Sequence, residues 1–476
     1  MRPPGPPADV DWLVTGAVAT SDDERRVITD GAVAVAGGRI VAVGPRADVS
    51  SRYQGRPLGG THAVVMPGMV DCHNHAAQAL VRSLIAAELP MIQRLYLPAE
   101  DVMTDDQVRT SATLVALQLL RSGVTTFAET TATPAHEDLI IETVERVGIR
   151  CSMARGAGDQ QAHHAAIYSQ VTDRSWATPR PGEAAADLAR TAAFLDRHDP
   201  SGSGLVKGGV LASHITGFSP AYFRDAAELA RERDASLQVH VARDREEVEF
   251  SLAVYGRRPI EQLAEWGVIG PELLAIHAIL VTDREVELLA AGGAAVAHQP
   301  VECMNILNGV PRVQRLRSRG VTVGLGCDNA INDGFEVMRA AWLLHTALAA
   351  IPGYEPDHLP AEDIFAMATS EAARALRWGH EIGSLTPGRA ADLVVLDGDA
   401  PHMAPTQHPV VDLVRYATRA DVQHVMVAGR LLVEDRRSTT VDEAAVLADA
   451  RKAAPDIAAA VTPRRYQPLA PSVTLT

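Results

Sequence analysis

The stretch Val65-Met66-Pro67-Gly68-Met69-Val70-Asp71-Cys72-His73-Asn74-His75 decides how the rest of the chain is read. An apolar run that closes on two histidines one residue apart describes a buried strand, and the two-residue repeat of a strand delivers both imidazoles to one side. That is half of a metal site. A catalytic divalent ion needs more donors than one strand supplies, so the other half is expected at the ends of further buried strands.

Outward from this strand, between about Thr61 and Leu385, short apolar runs alternate with longer amphipathic stretches. The runs cover 124–128, 149–154, 206–212, 236–240, 273–277, 294–298 and 321–326. With the first they make about eight strands, separated by helical segments such as 222–233 and 283–291. This alternation predicts an α/β fold, a (β/α)8 TIM-like barrel whose chemistry lies at the carboxyl ends of the strands. His240, His277 and His298 each close a run, and Asp328 stands two residues beyond Gly326. One histidine at a strand end is ordinarily structural. Five with an aspartate converge on one barrel mouth, and imidazole with carboxylate suits zinc or ferrous iron better than magnesium or calcium. The only lysines are Lys207, at the opposite end of its strand, and Lys452. No strand-end lysine is available to bridge two ions, so one divalent metal is expected.

The flanks read differently. Residues 11–60 hold short β-rich pieces, with a hairpin signal at Gly37-Gly38, and a matching set returns at 391–397 and 422–433. Neither set alone closes a useful core. The two ends are therefore expected to combine into one composite β-sandwich, the alternative being two separate small caps. The expected boundaries are 1–64 for the first part of the sandwich, 65–385 for the barrel and 386–476 for the second part and tail.

Composition narrows the partners. The net charge of −15, from 59 acidic against 44 basic residues, opposes binding to nucleic acid or an anionic membrane, since either needs a basic surface. The chain is 47% hydrophobic with mean hydropathy near zero, and no apolar run approaches the ~18 residues of a membrane span. Residues 1–7 lack the apolar core of a secretory signal, so a cytoplasmic protein is expected. The four cysteines, Cys72, Cys151, Cys303 and Cys327, lack zinc-ribbon or disulfide spacing and read as reduced core residues. Residues 156–180, with His163, His164 and Trp176, have no clean periodicity and are expected to form a lid. Adjacent histidines point apart, so His163 and His164 are not a metal pair. The tail after about Ala454 reads as extended.

Four motifs carry a resemblance over nearly the whole length: 66–71 leading into His73-Asn74-His75, Arg121-Ser122-Gly123-Val124-Thr125-Thr126-Phe127, Gly324-Leu325-Gly326-Cys327-Asp328-Asn329, and 381–393. The chain resembles the amidohydrolase superfamily, in the branch that holds atrazine chlorohydrolase, S-adenosylhomocysteine deaminase and guanine deaminase. The resemblance implies that His73, His75, His240 and Asp328 ligate the metal, and that His277 is a ligand or an electrophile beside it. Asp328 would accept a proton from a water that the metal makes acidic near neutral pH. His214 and His298 would line the substrate pocket together with Asn329 and Glu302, and a homo-oligomer is implied.

Two departures bear on the substrate. Relatives of this branch carry a proton-shuttling glutamate three residues after the fifth-strand histidine, where this chain has Arg243. Arginine stays protonated and cannot shuttle. Arg243 either holds a carboxylate or a developing oxyanion in the pocket, or turns outward to pair with Glu246 or Glu247. Asp244, Glu246 and Glu247 read as a solvated helix start. The second departure is 299–305, which replaces a shorter Ser-Asn turn and places Glu302 at the pocket. The expected function is hydrolytic attack on a carbon bearing an amino or other leaving group in a small nitrogenous compound, such as an aminated or halogenated N-heterocycle. Hydrolysis of an amide, urea or carbamate is the alternative, and a metal-retaining binding protein without turnover the second.

Overall fold

The computed structural model describes residues 7–84, 95–130, 133–159, 181–198, 204–306, 308–329, 331–350 and 359–461. The expected lid, with His163, His164 and Trp176, falls outside these apart from its first residues, and so does the chain after 461.

The barrel is present with the expected strand count. Its strands are Met69–Asn74, Val124–Thr130, Arg150–Arg155, Val206–His214, Leu237–Val241, Leu273–His277, Ala295–His298 and Thr322–Leu325, paired parallel in chain order. A bridge between Asn74 and Asp328 brings the last strand's end to the first. Both faces of the strands are buried, which is why they read as apolar runs without alternation. Between them come helices such as Pro220–Glu232 and Asp283–Gly292, started by Ser219 and Thr282, whose hydroxyls accept N–H groups of the first turn.

The two chain ends form one sheet, and separate caps are ruled out. Its order across the eight strands is Arg437–Ser438, Arg430–Glu434, Val422–Val427, Leu393–Asp397, Tyr53–Pro67, Ala8–Ala19, Val27–Ala36 and Arg39–Pro45. The ends meet where Leu393–Asp397 runs antiparallel to the end of Tyr53–Pro67, with Leu393 opposite Pro67. Val14, Val33, Val65, Leu393, Val395 and Met426 form a core of the sheet's own.

The sheet passes into the barrel through a single residue. Tyr53–Pro67 ends, Gly68 intervenes and Met69 opens the first barrel strand. A Cβ at Gly68 would lie 2.0 Å from Thr125 Oγ1, so only glycine lets the second barrel strand approach this closely. Beside the joint, Arg150 donates through Nε (2.7 Å) and Nη2 (3.2 Å) to the two oxygens of Asp392, both residues being nearly inaccessible. Asp392 also accepts the Ala428 N–H at 2.7 Å, so this carboxylate ties the base of the barrel to the terminal sheet. Removing one partner leaves a buried charge uncompensated, a loss of about 3–5 kcal/mol. Asp392→Ala is expected to destabilise the protein by that amount, measured by denaturant unfolding against the parent.

Residues 455–461 depart from the extended form expected after Ala454, and the rest of the tail lies outside the described residues. The helix Glu443–Val461 continues through Pro455 and packs on Asp105–Arg121, with Glu443 paired to Arg121 at 2.8 Å. Its run of alanines favours the helix enough to carry it past the proline. Among the described residues no helix is long and apolar enough to cross a membrane.

Candidate active site

Five expected donors meet at the barrel mouth. His73 and His75 come from the end of the first strand and the residue after it, His240 from the fifth strand, His277 from the last position of the sixth, and Asp328 follows the eighth. His73 Nε2 lies 3.3 Å from His240 Nε2 and 3.5 Å from Asp328 Oδ2. His75 Nε2 is 3.8 Å from Asp328 Oδ1, and His277 Nε2 is 3.9 Å from Asp328 Oδ2. Two groups, His73 with His240 and His277, and His73 with His75 and Asp328, each gather donor atoms within 4.8 Å of one another.

Hydrogen bonds on the far side of the rings show why a cation fits. His240 Nδ1 lies 3.0 Å from the Ser213 carbonyl, which can only accept, so Nδ1 carries the hydrogen and Nε2 a lone pair. Thr130 Oγ1 lies 3.1 Å from His73 Nδ1 and 3.5 Å from the Asn74 carbonyl; with its hydrogen on that carbonyl it accepts from Nδ1, and His73 Nε2 is then a lone pair too. Two lone pairs 3.3 Å apart repel unless they share a positive ion. Zinc–imidazole bonds of about 2.0–2.1 Å at tetrahedral angles put two nitrogens about 3.3–3.4 Å apart. Burial, with the neighbouring imidazoles, holds His73, His240 and His277 well below the usual imidazole range, and burial takes His75 down to about 4. Burial also pushes Asp328 up. Neutral imidazoles around a carboxylate are a donor set for one divalent cation.

The backbone is constrained around these donors. Ala242, His277, Ala278 and Asp328 all have left-handed φ, at +52°, +75°, +45° and +58°. Such conformations cost about 1–3 kcal/mol each and persist where surrounding structure fixes them. Asp71 supplies part of that fixation. One of its oxygens accepts the His73 N–H (3.1 Å) and the Cys327 N–H (2.8 Å), and the other accepts Asn74 Nδ2 (2.7 Å). The carboxylate thus joins the two strand ends that carry the candidate ligands His73, His75 and Asp328. Asp71→Asn would point an amide N–H at one of these donors. It is expected to weaken zinc binding by about 10–100-fold, in the range of supporting residues at metal sites, measured by competition with a chelating dye.

A cavity opens over the donors, and the expected substrate residues divide around it. Arg243, His214, Asn329 and Glu302 line it. His298 does not: it is fully buried, with Nε2 3.0 Å from Nε2 of His345, a residue of the helix Gly334–Ala350. Arg243 does not turn outward to Glu246 or Glu247. It is buried, donating through Nε (2.9 Å) and Nη2 (2.6 Å) to Asp244. Asp244 also caps the helix Arg245–Tyr255 by accepting the Glu247 N–H at 2.8 Å. Only Glu246 keeps the solvated place expected of this helix start. Glu247 is turned inward and 1% exposed; it accepts the N–H groups of Ala242 (3.0 Å) and Arg243 (2.9 Å) and so holds the loop after His240. Burial and Asp244 push it up to about 8. Burial and Asp328 likewise push Glu302 well above the usual carboxyl range.

Tyr96 and Gln78 also line the cavity and had not been expected there. Gln78 stands three residues after His75 in the 3-10 turn Ala76–Leu84, so its spacing was a usable signal. Tyr96 follows a stretch without periodicity, and nothing in the sequence marked it.

Fold and site together define a hydrolase that works through a divalent metal at the mouth of a (β/α)8 barrel. Residues 64–432 match the model of the amidohydrolase family, and residues 31–53 match that of an imidazolonepropionase-like composite domain of bacteria. The chain is 34% identical over 440 residues to 5-methylthioadenosine/S-adenosylhomocysteine deaminase of Syntrophobacter fumaroxidans, covering 90% of this chain and 94% of that protein. It is 30% identical to 5'-deoxyadenosine deaminase of Methanosarcina mazei, over 93% and 97% of the two chains. The crystal structure of a zinc-bound adenosine deaminase from Xanthomonas campestris superposes with a TM-score of 0.84 at 28% identity, covering 95% of this chain and all of that one. The zinc complex of atrazine chlorohydrolase from Arthrobacter aurescens shares the fold, with a TM-score of 0.80 at 24% identity over 93% and 100% of the two chains. The chain belongs to the amidohydrolase family. It is an enzyme, a metal-dependent hydrolase of carbon–nitrogen bonds outside peptides, and its substrate is a small molecule.

Proposed function

We propose that this enzyme uses zinc to replace an exocyclic amino group of a nitrogen heterocycle by oxygen, releasing ammonia. The observation that carries this is the convergence of His73, His75, His240, His277 and Asp328 beneath one cavity, in a chain akin to deaminases of adenosine compounds. Zinc held by His73, His75, His240 and Asp328, with His277 beside them, would supply Lewis-acid activation of the attacking water. The chain's own groups do the rest. Asp328, buried and close to three imidazoles, takes a proton from that water and passes it to the departing nitrogen. His277 Nε2 faces the same space and can polarise the carbon under attack. Water brings two protons: one completes the ammonia and the other stays with the oxygenated product.

A second reading, hydrolysis of an amide, urea or carbamate, draws on Arg243. Its buried guanidinium lines the cavity, where a cation favours charge that collects on oxygen. The test is ammonia release by zinc-loaded protein across aminopurines and their nucleosides, aminopyrimidines, pterins and aminotriazines, with Asp328→Asn as the blank. Ammonia above the blank supports the first reading. A mass change confined to ureas, carbamates or amides supports the second and defeats the first. A cytoplasmic location and assembly into a homo-oligomer complete the proposal, to be tested by cell fractionation and light scattering.

A further inference from the structure

Replacing a ring amino group by oxygen moves protons at three places. The attacking water gives up its protons, the departing nitrogen gains one, and the ring nitrogen beside the carbon gains one as that carbon becomes tetrahedral. Asp328 serves the water and the departing nitrogen. The ring nitrogen needs a carrier of its own, and Arg243, which stays protonated, is not one.

Among the described residues only two carboxyl groups line the cavity, those of Asp328 and Glu302. The other acids nearby are engaged. Asp244 accepts from Arg243 Nε and Nη2 and caps its helix. Glu247 accepts two backbone N–H groups, one on each oxygen. Glu100, in the short helix Leu97–Glu100, accepts Gln78 Nε2 (2.6 Å) and Thr133 Oγ1 (2.9 Å), one on each oxygen. Gln78 Oε1 in turn accepts Asn329 Nδ2 at 2.7 Å, so Glu100 ends a relay that holds Asn329 and is spent on it.

Glu302 differs from these. It lies in the helix Pro300–Asn305, directly after the seventh barrel strand, and is 2% exposed. The Asn305 side chain donates to its carboxyl, while Oε2 is buried without a hydrogen-bond partner. A carboxyl anchored in this way can release a proton from the open oxygen and take one back without moving. Burial, with Asp328 nearby, also favours its neutral form. Tyr96 lines the same cavity, but burial with Glu302 and Asp328 nearby pushes its hydroxyl up, so it holds its proton too tightly for a carrier.

Given the proposed hydrolysis of an amino-heterocycle, on which this rests, we propose that Glu302 is the catalytic residue serving the ring nitrogen, in place of the carboxyl that Arg243 displaces. As the C–O bond forms, the electron pair of the ring C=N bond moves onto nitrogen, which takes the proton from Glu302 Oε2, and Asp328 takes one from the water. Asp328 then protonates the amino group, which leaves as ammonia with the electron pair of the broken C–N bond. The hydroxyl on carbon becomes a carbonyl, and its proton returns to Glu302. One water is consumed, one ammonia and one oxo ring are made, and both carboxyl groups end as they began.

The test compares zinc-loaded parent, Glu302→Gln and Glu302→Ala on adenosine, 6-aminopurine, 4-aminopyrimidine and amino-1,3,5-triazine, using the ring from which the parent releases ammonia fastest. Glu302→Gln keeps the size and the bond to Asn305, and is expected to lower kcat about 10²–10⁴-fold with KM little changed. Formate added to Glu302→Ala is expected to restore part of the turnover, and formamide, similar in shape but no proton carrier, to restore none. A residue that only packed the wall would raise KM and would not separate the two additives. Glu302 is not the carrier if Glu302→Gln stays within about tenfold of the parent in kcat, or if formate and formamide act alike. Should Glu302→Ala not fold, Glu302→Gln decides alone. Ammonia from the parent with an unimpaired Glu302→Gln overturns the role of Glu302 and leaves the deaminase reading standing, whereas no ammonia from any ring overturns both.

Discussion

Asp328→Asn is expected to lower turnover about a thousandfold or more while leaving the protein folded. Among the described residues Asp328 is the one carboxylate paired within 4 Å with His73, His75 and His277, so the variant removes the charge and the proton acceptor together. Loss of a positioned general base costs typically 10²–10⁴-fold. The fold should tolerate the change for a local reason. Asp328 sits at φ +58°, a conformation that asparagine adopts more readily than most residues, and the amide oxygen can still accept the Asn329 N–H, now at 2.8 Å. The measurement is kcat of parent and variant at matched metal content, with a thermal melt of each. Turnover within tenfold of the parent would remove Asp328 from the chemistry, and turnover in neither protein with metal still bound would favour the binding-protein alternative.

Removal of the metal is expected to abolish activity and to lower stability. Without a cation the lone pairs of His73 and His240 face each other at 3.3 Å, and Asp328 is buried against further imidazoles. At a free zinc concentration a thousand times Kd, linkage predicts about 4 kcal/mol of added stability. Dialysis against a chelator should therefore give a less stable, inactive protein, and about one equivalent of zinc should restore both properties. Calorimetry and elemental analysis read this directly. A chelated protein with full activity contradicts a metal mechanism, and two bound equivalents contradict the single ion expected from the lack of a strand-end lysine.

Much of the barrel was legible because its strands are buried on both faces, and a buried parallel strand is an uninterrupted apolar run that stops where the chain meets the mouth. His240, His277 and Asp328 stand out against such runs. Glu247 could not be placed in the same way. A cluster of charges at a helix start has the composition of a solvated turn, and only the path of the loop after His240, with Ala242 in a left-handed conformation, turns that carboxylate inward. His298 shows the opposite failure. It ends a strand like the others, but His345, far away in sequence, takes up its ring. Tyr96 and the Glu100 relay belong to short helical pieces with too few residues to establish a period.

The single-glycine joint at Gly68 has a consequence for the order in which this protein comes off the ribosome. All five candidate metal donors have been synthesised once residue 328 is added. The strand that leads into His73 and His75, however, is flanked in the terminal sheet by Leu393–Asp397 on one side and Ala8–Ala19 on the other. A nascent chain thus carries all five candidate ligands well before it owns the frame that aims the first two, and that frame is complete only once residues 393–397 have been made.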